Sequence, residues 1–110
     1  MIASKIKRGS AEFAIISVLA EERLYGYQIA QTIAERTAGE LHFTLASLYP
    51  MLYALEKRAW IAGTWETTHG GRKRRYYRLT PLGRRQLAPM RRQWDGFFRA
   101  IQRLSGASHA

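Results

Sequence analysis

Residues 70–75 read Gly-Gly-Arg-Lys-Arg-Arg, four consecutive cations behind a glycine pair. Side chains of this kind stay charged at neutral pH, so their chemistry is electrostatic and their natural partner is a row of phosphates. Placed on a turn they repel one another, a cost that an anionic partner offsets. Other chemistries find little support. The chain has no cysteine, which removes disulfides and thiolate metal sites. His42, His69 and His109 stand singly, which argues against zinc. Beyond residue 40 the acids are Glu56, Glu66 and Asp95, without the paired spacing a metal-dependent nuclease needs. His42 and His69 fall on different elements, which is no arrangement for an acid–base pair. The reading is therefore a non-enzyme without metal or cofactor.

The whole chain agrees with this. Its 110 residues carry 18 Lys and Arg against 8 Asp and Glu, a net charge of +10. Residues 1–40 balance to zero, while residues 41–80 and 81–110 carry +5 each. Such an excess suits nucleic acid or an acidic membrane surface. No apolar run approaches the roughly 20 residues of a membrane span. The start, MIASKIKRGSAEF, lacks the apolar stretch of a secretory signal. A cytoplasmic location is expected. A chain this short has a small core, and dimerisation is a natural way to bury more surface.

The elements that must position these charges can be read from spacing. SAEFAIISVLA, residues 10–20, has a wide apolar face of Phe13, Ile15, Ile16, Val18 and Leu19, with Ser10 as its cap. LYGY interrupts it. A second helix starts at Tyr27, carries Ile29 and Ile33 four apart, and stops near Gly39. A third lies between Thr44, its N-cap, and Ala59, with Leu45, Leu48, Leu52, Leu55 and Ala59 in steps of three and four. Pro50 is awkward inside it, so the helix either tolerates the proline near its first turn or starts only after Ser47. Residues 64–68 and 75–79 predict strands joined at His69-Gly70-Gly71. Arg75, Tyr77 and Leu79 share one strand face, and Arg74, Tyr76 and Arg78 the other. Thr80-Pro81 opens a last helix with a kink expected near Pro89. Its apolar residues Leu87, Met90, Trp94, Phe97, Ile101 and Leu104 repeat as a heptad seam, which requires a partner.

Three helices, a basic hairpin and a long helix are the plan of a winged helix-turn-helix, mainly α with a small β-hairpin. Residues 1–80 would form the DNA-binding domain and 81–110 a dimerisation helix with a short tail. The second helix of the pair would enter the major groove, and the hairpin, the wing, would lie along an adjacent groove or backbone. Ser47 and Tyr49 are the side chains able to meet bases or phosphates there. Tyr49 can equally pack under the wing, and Tyr25 and Tyr27 can equally fix the interhelical turn. Glu56 reads as half of a surface ion pair with its neighbours Lys57 and Arg58.

Several motifs in order resemble the PadR-type transcriptional regulators. Tyr25-Gly26-Tyr27-Gln28-Ile29 is similar to the family's GYEI. Leu48-Tyr49-Pro50-Met51-Leu52 with Leu55-Glu56 resembles its TLYPLL and LE, and Arg75-Tyr76-Tyr77-Arg78-Leu79-Thr80 its RYYRLT. Trp65-Glu66, Gly71-Arg72, Gly83 and Trp94 also fit, so the resemblance covers roughly residues 10–95. It implies a proline inside the recognition helix and a homodimer held largely by the last helix; a symmetric dimer suits a palindromic operator, and repression needs only that it cover promoter DNA. The implied DNA contacts are Tyr25, Tyr27, Thr44, Ser47, Tyr49, His69, Arg72, Lys73, Arg74 and Arg75. Some members sense planar aromatic compounds between subunits, for which Phe13, Trp94, Phe97 and Phe98 are the candidates. Tyr25 stands where the family often has His, and Ala46-Ser47 where it often has Gly-Thr. The second departure lies on the reading helix, so no relative's operator carries over. The competing reading is a basic winged-helix protein that binds RNA or acts architecturally, without an effector.

Overall fold

The computed structural model describes residues 2–106, with side-chain environments from Gly9 onward; His109 lies outside them. The elements run α1 (Ile2–Leu19), β1 (Leu24–Tyr25), α2 (Gly26–Arg36), α3 (Leu45–Lys57), β2 (Ile61–Thr67), β3 (Lys73–Leu79), a single-turn α4 (Pro81–Arg84) and α5 (Leu87–Ser105). The sheet is antiparallel in the order β1-β3-β2. The result is the mainly helical, winged helix-turn-helix plan that the element order predicts.

The helical layer closes on aliphatic side chains. Ile15 and Ile16 of α1, Ile29 and Ile33 of α2, and Leu48, Leu52 and Leu55 of α3 are all at most 2% exposed. Ile61, Tyr77 and Leu79 close the core from the sheet. Their register explains how: Ile61 faces Leu79 and Gly63 faces Tyr77 across β2 and β3, while Leu24 faces Tyr77 from β1. Alternation then sends Arg74, Tyr76 and Arg78 to the outer face, as expected.

Several boundaries differ from the sequence reading. Helix α1 begins at Ile2, so Ser10 lies inside it and is not its cap; the preceding Lys, Ile and Arg are helix-compatible and extend the periodic segment upstream. Helix α2 starts one residue early because Tyr25 is its N-cap, with the Gln28 side-chain oxygen accepting the Tyr25 N–H at 3.2 Å. It ends at Arg36, and left-handed Gly39 (φ 82°) donates its N–H back to the Ala34 carbonyl at 2.8 Å.

Thr44 caps α3 by accepting the Ser47 N–H at 3.2 Å, so the helix starts at Leu45 and includes Pro50. The expected five-residue stripe shortens to three leucines. Leu45, in the first turn, is exposed, and Ala59 (φ 64°) has already left the helix. Both strands run longer than residues 64–68 and 75–79. The added strand β1, two residues long, is too short to show a period. The last helix is broken at Arg85-Gln86 and not at Pro89. Pro89 is the third residue of α5, where a backbone N–H would have no intrahelical partner in any case.

Candidate nucleic-acid interface

Helix α3 presents to solvent the face opposite its leucines. Tyr49 is 49% and Tyr53 65% exposed, one helical turn apart. The Tyr49 ring lies over the Gly26 backbone at the start of α2. Beyond it, the root of the wing rises from β2 and β3. Between them is a hollow of about 450 Å³ whose lining includes Tyr25, Tyr27, Tyr49, Lys73, Arg74 and Arg75. Six of the ten DNA-contact candidates thus converge, although they are separated by up to fifty residues of chain.

The four wing cations are not equivalent. Arg72 and Lys73 are exposed, and His69 is exposed at the hairpin tip. Arg74 lies on the outer sheet face with its guanidinium 4.5 Å from the Tyr25 ring centre. Tyr25 meets Tyr76 edge-on at 5.4 Å, and the Arg23 guanidinium lies over the Tyr76 ring at 4.5 Å while pairing with Glu66. Arg75 is on the opposite face, held by the Glu56 carboxylate and flanked by the rings of Trp65 and Tyr77 at 5.6 and 5.8 Å.

Glu56 therefore does not pair with its chain neighbours. Consecutive helical residues point about 100° apart. Arg58 reaches Glu12 on α1, and Lys57 lies over the Tyr53 ring at 5.4 Å. Burial pushes the Tyr77 phenol above its ordinary value, and the Arg75 cation partly opposes that.

Thr44 and Ser47 stand apart from the hollow, at the start of α3. Thr44 Oγ1 donates to Ser47 Oγ at 3.1 Å, and Ser47 Oγ donates to the Thr44 carbonyl at 3.0 Å. Trp65 and Tyr53 are the residues sequence reasoning missed. Tyr53 was legible as the position one turn beyond Tyr49 on the side opposite Leu48, Leu52 and Leu55. Trp65, 64% exposed, becomes significant only through its pairing opposite Arg75 in the sheet.

The second candidate surface is α5, none of whose residues is buried. Leu87 and Met90 pack against the core. Trp94 rests on α1 at Gly9 and forms a cluster with Phe97 and Phe98, all three ring pairs lying within 5.9 Å. Phe97, Phe98, Ile101 and Leu104 are 39–85% exposed. A groove of about 350 Å³ between α1, α2 and α5 is lined by Phe13, Val18, Ile33, Leu41, Trp94 and Phe98, among others. It brings together Phe13, Trp94 and Phe98 but leaves out Phe97. Among the described residues no three His, Cys, Asp or Glu side chains could share a metal ion. None of the described helices is long and apolar enough to cross a membrane.

A capped helix pair, a two-stranded wing in a three-stranded sheet and a cation–aromatic face define a winged-helix DNA-binding protein. Residues 15–89 match the Transcriptional regulator PadR-like family, and the chain belongs to that family. It is 35% identical over 94 residues, 86% of each chain, to an uncharacterized protein of Lysinibacillus sphaericus. Among solved structures it is similar to a transcriptional regulator from Clostridium thermocellum, with 27% identity, TM-score 0.81, and 90% and 96% of the two chains covered. A PadR family transcription regulator from Clostridium difficile is also similar, at 27% identity and TM-score 0.71 over 86% and 95% of the chains. A PadR-like transcriptional regulator from Bacillus cereus gives 26%, 0.74, 91% and 95%. The protein is a DNA-binding transcription regulator, in a family of regulators and not of enzymes.

Proposed function

We propose that the protein is a homodimeric repressor that covers a palindromic operator and releases it on binding a small planar aromatic compound. The carrying observation is the stripe of Phe97, Phe98, Ile101 and Leu104, exposed on a helix with no buried residue. A lone helix of this kind gains its stability from packing, and a second copy supplies it. Residues 1–80 act as the DNA-binding unit and 81–110 as the dimerisation segment, with Leu87, Met90, Trp94, Phe97, Ile101 and Leu104 as its seam. Two-fold symmetry then sets two α3 helices at half-sites about 34–36 Å apart, and calls for a palindrome. Repression needs only that the dimer cover promoter DNA in the cytoplasm.

On each half-site Ser47 and Tyr49 read bases, and Thr44, Tyr25 and Tyr27 fix the helix against the backbone. His69, Arg72, Lys73 and Arg74 carry the wing onto phosphates; the sequence alone puts Arg75 among them, but its guanidinium is held by Glu56. The groove at Phe13, Trp94 and Phe98, with Phe97 beside it in the ring cluster, suits an aromatic effector. The test is duplex selection from random DNA, followed by salt titration of the selected and a scrambled duplex. Arg72→Ala with Lys73→Ala should weaken both and flatten the salt slope by about 0.9 per lost phosphate contact. An unchanged slope would place the wing off the DNA, and preference for structured RNA over the selected duplex would replace the operator reading.

A further inference from the structure

Arg75 stands in a run of four cations, yet its surroundings are unlike those of Arg72 and Lys73. Its guanidinium is paired with Glu56, the sole acid of α3. Both side chains are about three-quarters covered, with 29% and 25% exposure. The group also lies against β2 at Gly63. A Cβ at Gly63 would come 2.7 Å from Arg75 Nε and 2.8 Å from Cζ, so a side chain there would push the guanidinium out of this place. Trp65 and Tyr77 flank it as ring neighbours. Every one of these partners is on α3 or at the root of the wing.

We propose that Arg75 and Glu56 are positioning residues that fix the wing relative to the recognition helix, and that Arg75 makes no phosphate contact. This rests on the reading that α3 and the wing share one duplex. Two elements reach that duplex: α3 with base-reading side chains and the wing tip with Arg72 and Lys73. Sequence discrimination requires both to engage in one register, because phosphate contacts position and base contacts specify. The Glu56–Arg75 pair is the described ion pair between α3 and β3, so it holds that register. It also cancels two charges that would otherwise act on DNA independently. An unpaired Glu56 would repel phosphates beside the reading helix. An unpaired Arg75 would bind them without regard to sequence.

The two roles for Arg75 predict opposite results. The probes are a duplex selected from random DNA by the wild-type protein and a scrambled duplex of the same composition. Glu56→Gln keeps size and hydrogen-bonding capacity but frees the guanidinium. It should bind the scrambled duplex more tightly, with a salt slope steeper by about 0.9. The selected-to-scrambled affinity ratio should fall about tenfold, comparable to losing one well-made base contact. The Glu56→Gln/Arg75→Gln double variant, which removes both charges, should keep the wild-type salt slope while the ratio falls; Arg75→Gln alone leaves Glu56 unpaired, so it should weaken binding to both duplexes as well as lower the ratio. The charge-swapped Glu56→Arg/Arg75→Glu variant should recover part of the ratio, which loss of folding cannot imitate.

If the double variant flattens the slope by about 0.9 and Glu56→Gln leaves it unchanged, Arg75 is a phosphate contact and the proposal fails. An unaltered ratio in both single variants also overturns it. Arg72→Gln separates the two levels. If it flattens the slope while the Glu56 and Arg75 variants behave as wild type, the DNA-binding reading stands and only the clamp falls. If none of the three moves slope or ratio, the wing is not on the DNA, and both fall.

Discussion

A Cβ built on Gly83 would overlap the carbonyl oxygen of Trp60 and come 2.7 Å from Leu79 Cδ1. This contact closes the joint between the end of α3, the wing and the C-terminal helices. Thr80 seals it from the other side. Its N–H donates to the Trp60 carbonyl at 3.0 Å, its hydroxyl donates to Ala59 at 2.6 Å, and the same oxygen accepts the Gly83 N–H at 3.0 Å. Gly83→Ala should therefore destabilise by about 1–3 kcal/mol, as overpacking against a fixed backbone does. At roughly 4–8 °C per kcal/mol, thermal unfolding will show it directly. An unchanged melting temperature would mean that the joint can open without cost.

Tyr77 gives the fold an alkaline limit. Burial holds its phenol above the ordinary value of 10.0, so the unfolded chain ionises first. The stability this contributes is complete below about 10 and is lost as pH rises through the higher folded value. Denaturant midpoints measured from pH 8 to 11 should fall at the alkaline end, and Tyr77→Phe should fall less. Equal slopes in the two proteins would assign the loss to other groups.

On the reading helix, capping and recognition can be separated. Thr44→Ala removes the acceptor for the Ser47 N–H and should cost about 1 kcal/mol of stability. Ser47→Ala leaves that acceptor in place. It and Tyr49→Ala should lower affinity for a selected operator more than for scrambled DNA. Equal losses on both duplexes, in proteins with intact circular dichroism, would remove these side chains from base recognition.

The α5 stripe predicts a clean dissociation. Ile101 and Leu104 are 46% and 85% exposed, so much of both side chains is open to a partner. Ile101→Asp with Leu104→Asp should give a folded monomer whose operator affinity falls, because dimer formation would bury unpaired carboxylates. Sedimentation velocity alongside a binding titration measures both. A dimer that binds normally would show that the interface lies elsewhere.

Much of this was legible in the chain. Leucines at 48, 52 and 55 located the buried side of α3 and Thr80-Pro81 the end of the wing, because helical period and capping chemistry are local properties, while the start of α3 stayed open between Thr44 and a point after Ser47. The run Arg72–Arg75 located the wing and its charge. Local signals could not resolve Pro50, since a proline is acceptable or not according to what packs around the helix. They also misplaced the break near Pro89: the turn falls at Arg85-Gln86, just after Gly83 docks on Trp60.

The sequence by itself determined the succession of three helices, hairpin and C-terminal helix, the basic excess and the apolar stripe that asks for a partner, all written in composition and period. The tertiary structure alone decided how four adjacent cations divide. Alternation put Arg74 and Arg75 on opposite sheet faces, Tyr25 from β1 took the first, and Glu56 from α3 took the second. Those partners lie 49 and 19 residues away in sequence, and only folding brings a guanidinium, a ring and a carboxylate within the few ångströms over which such groups interact.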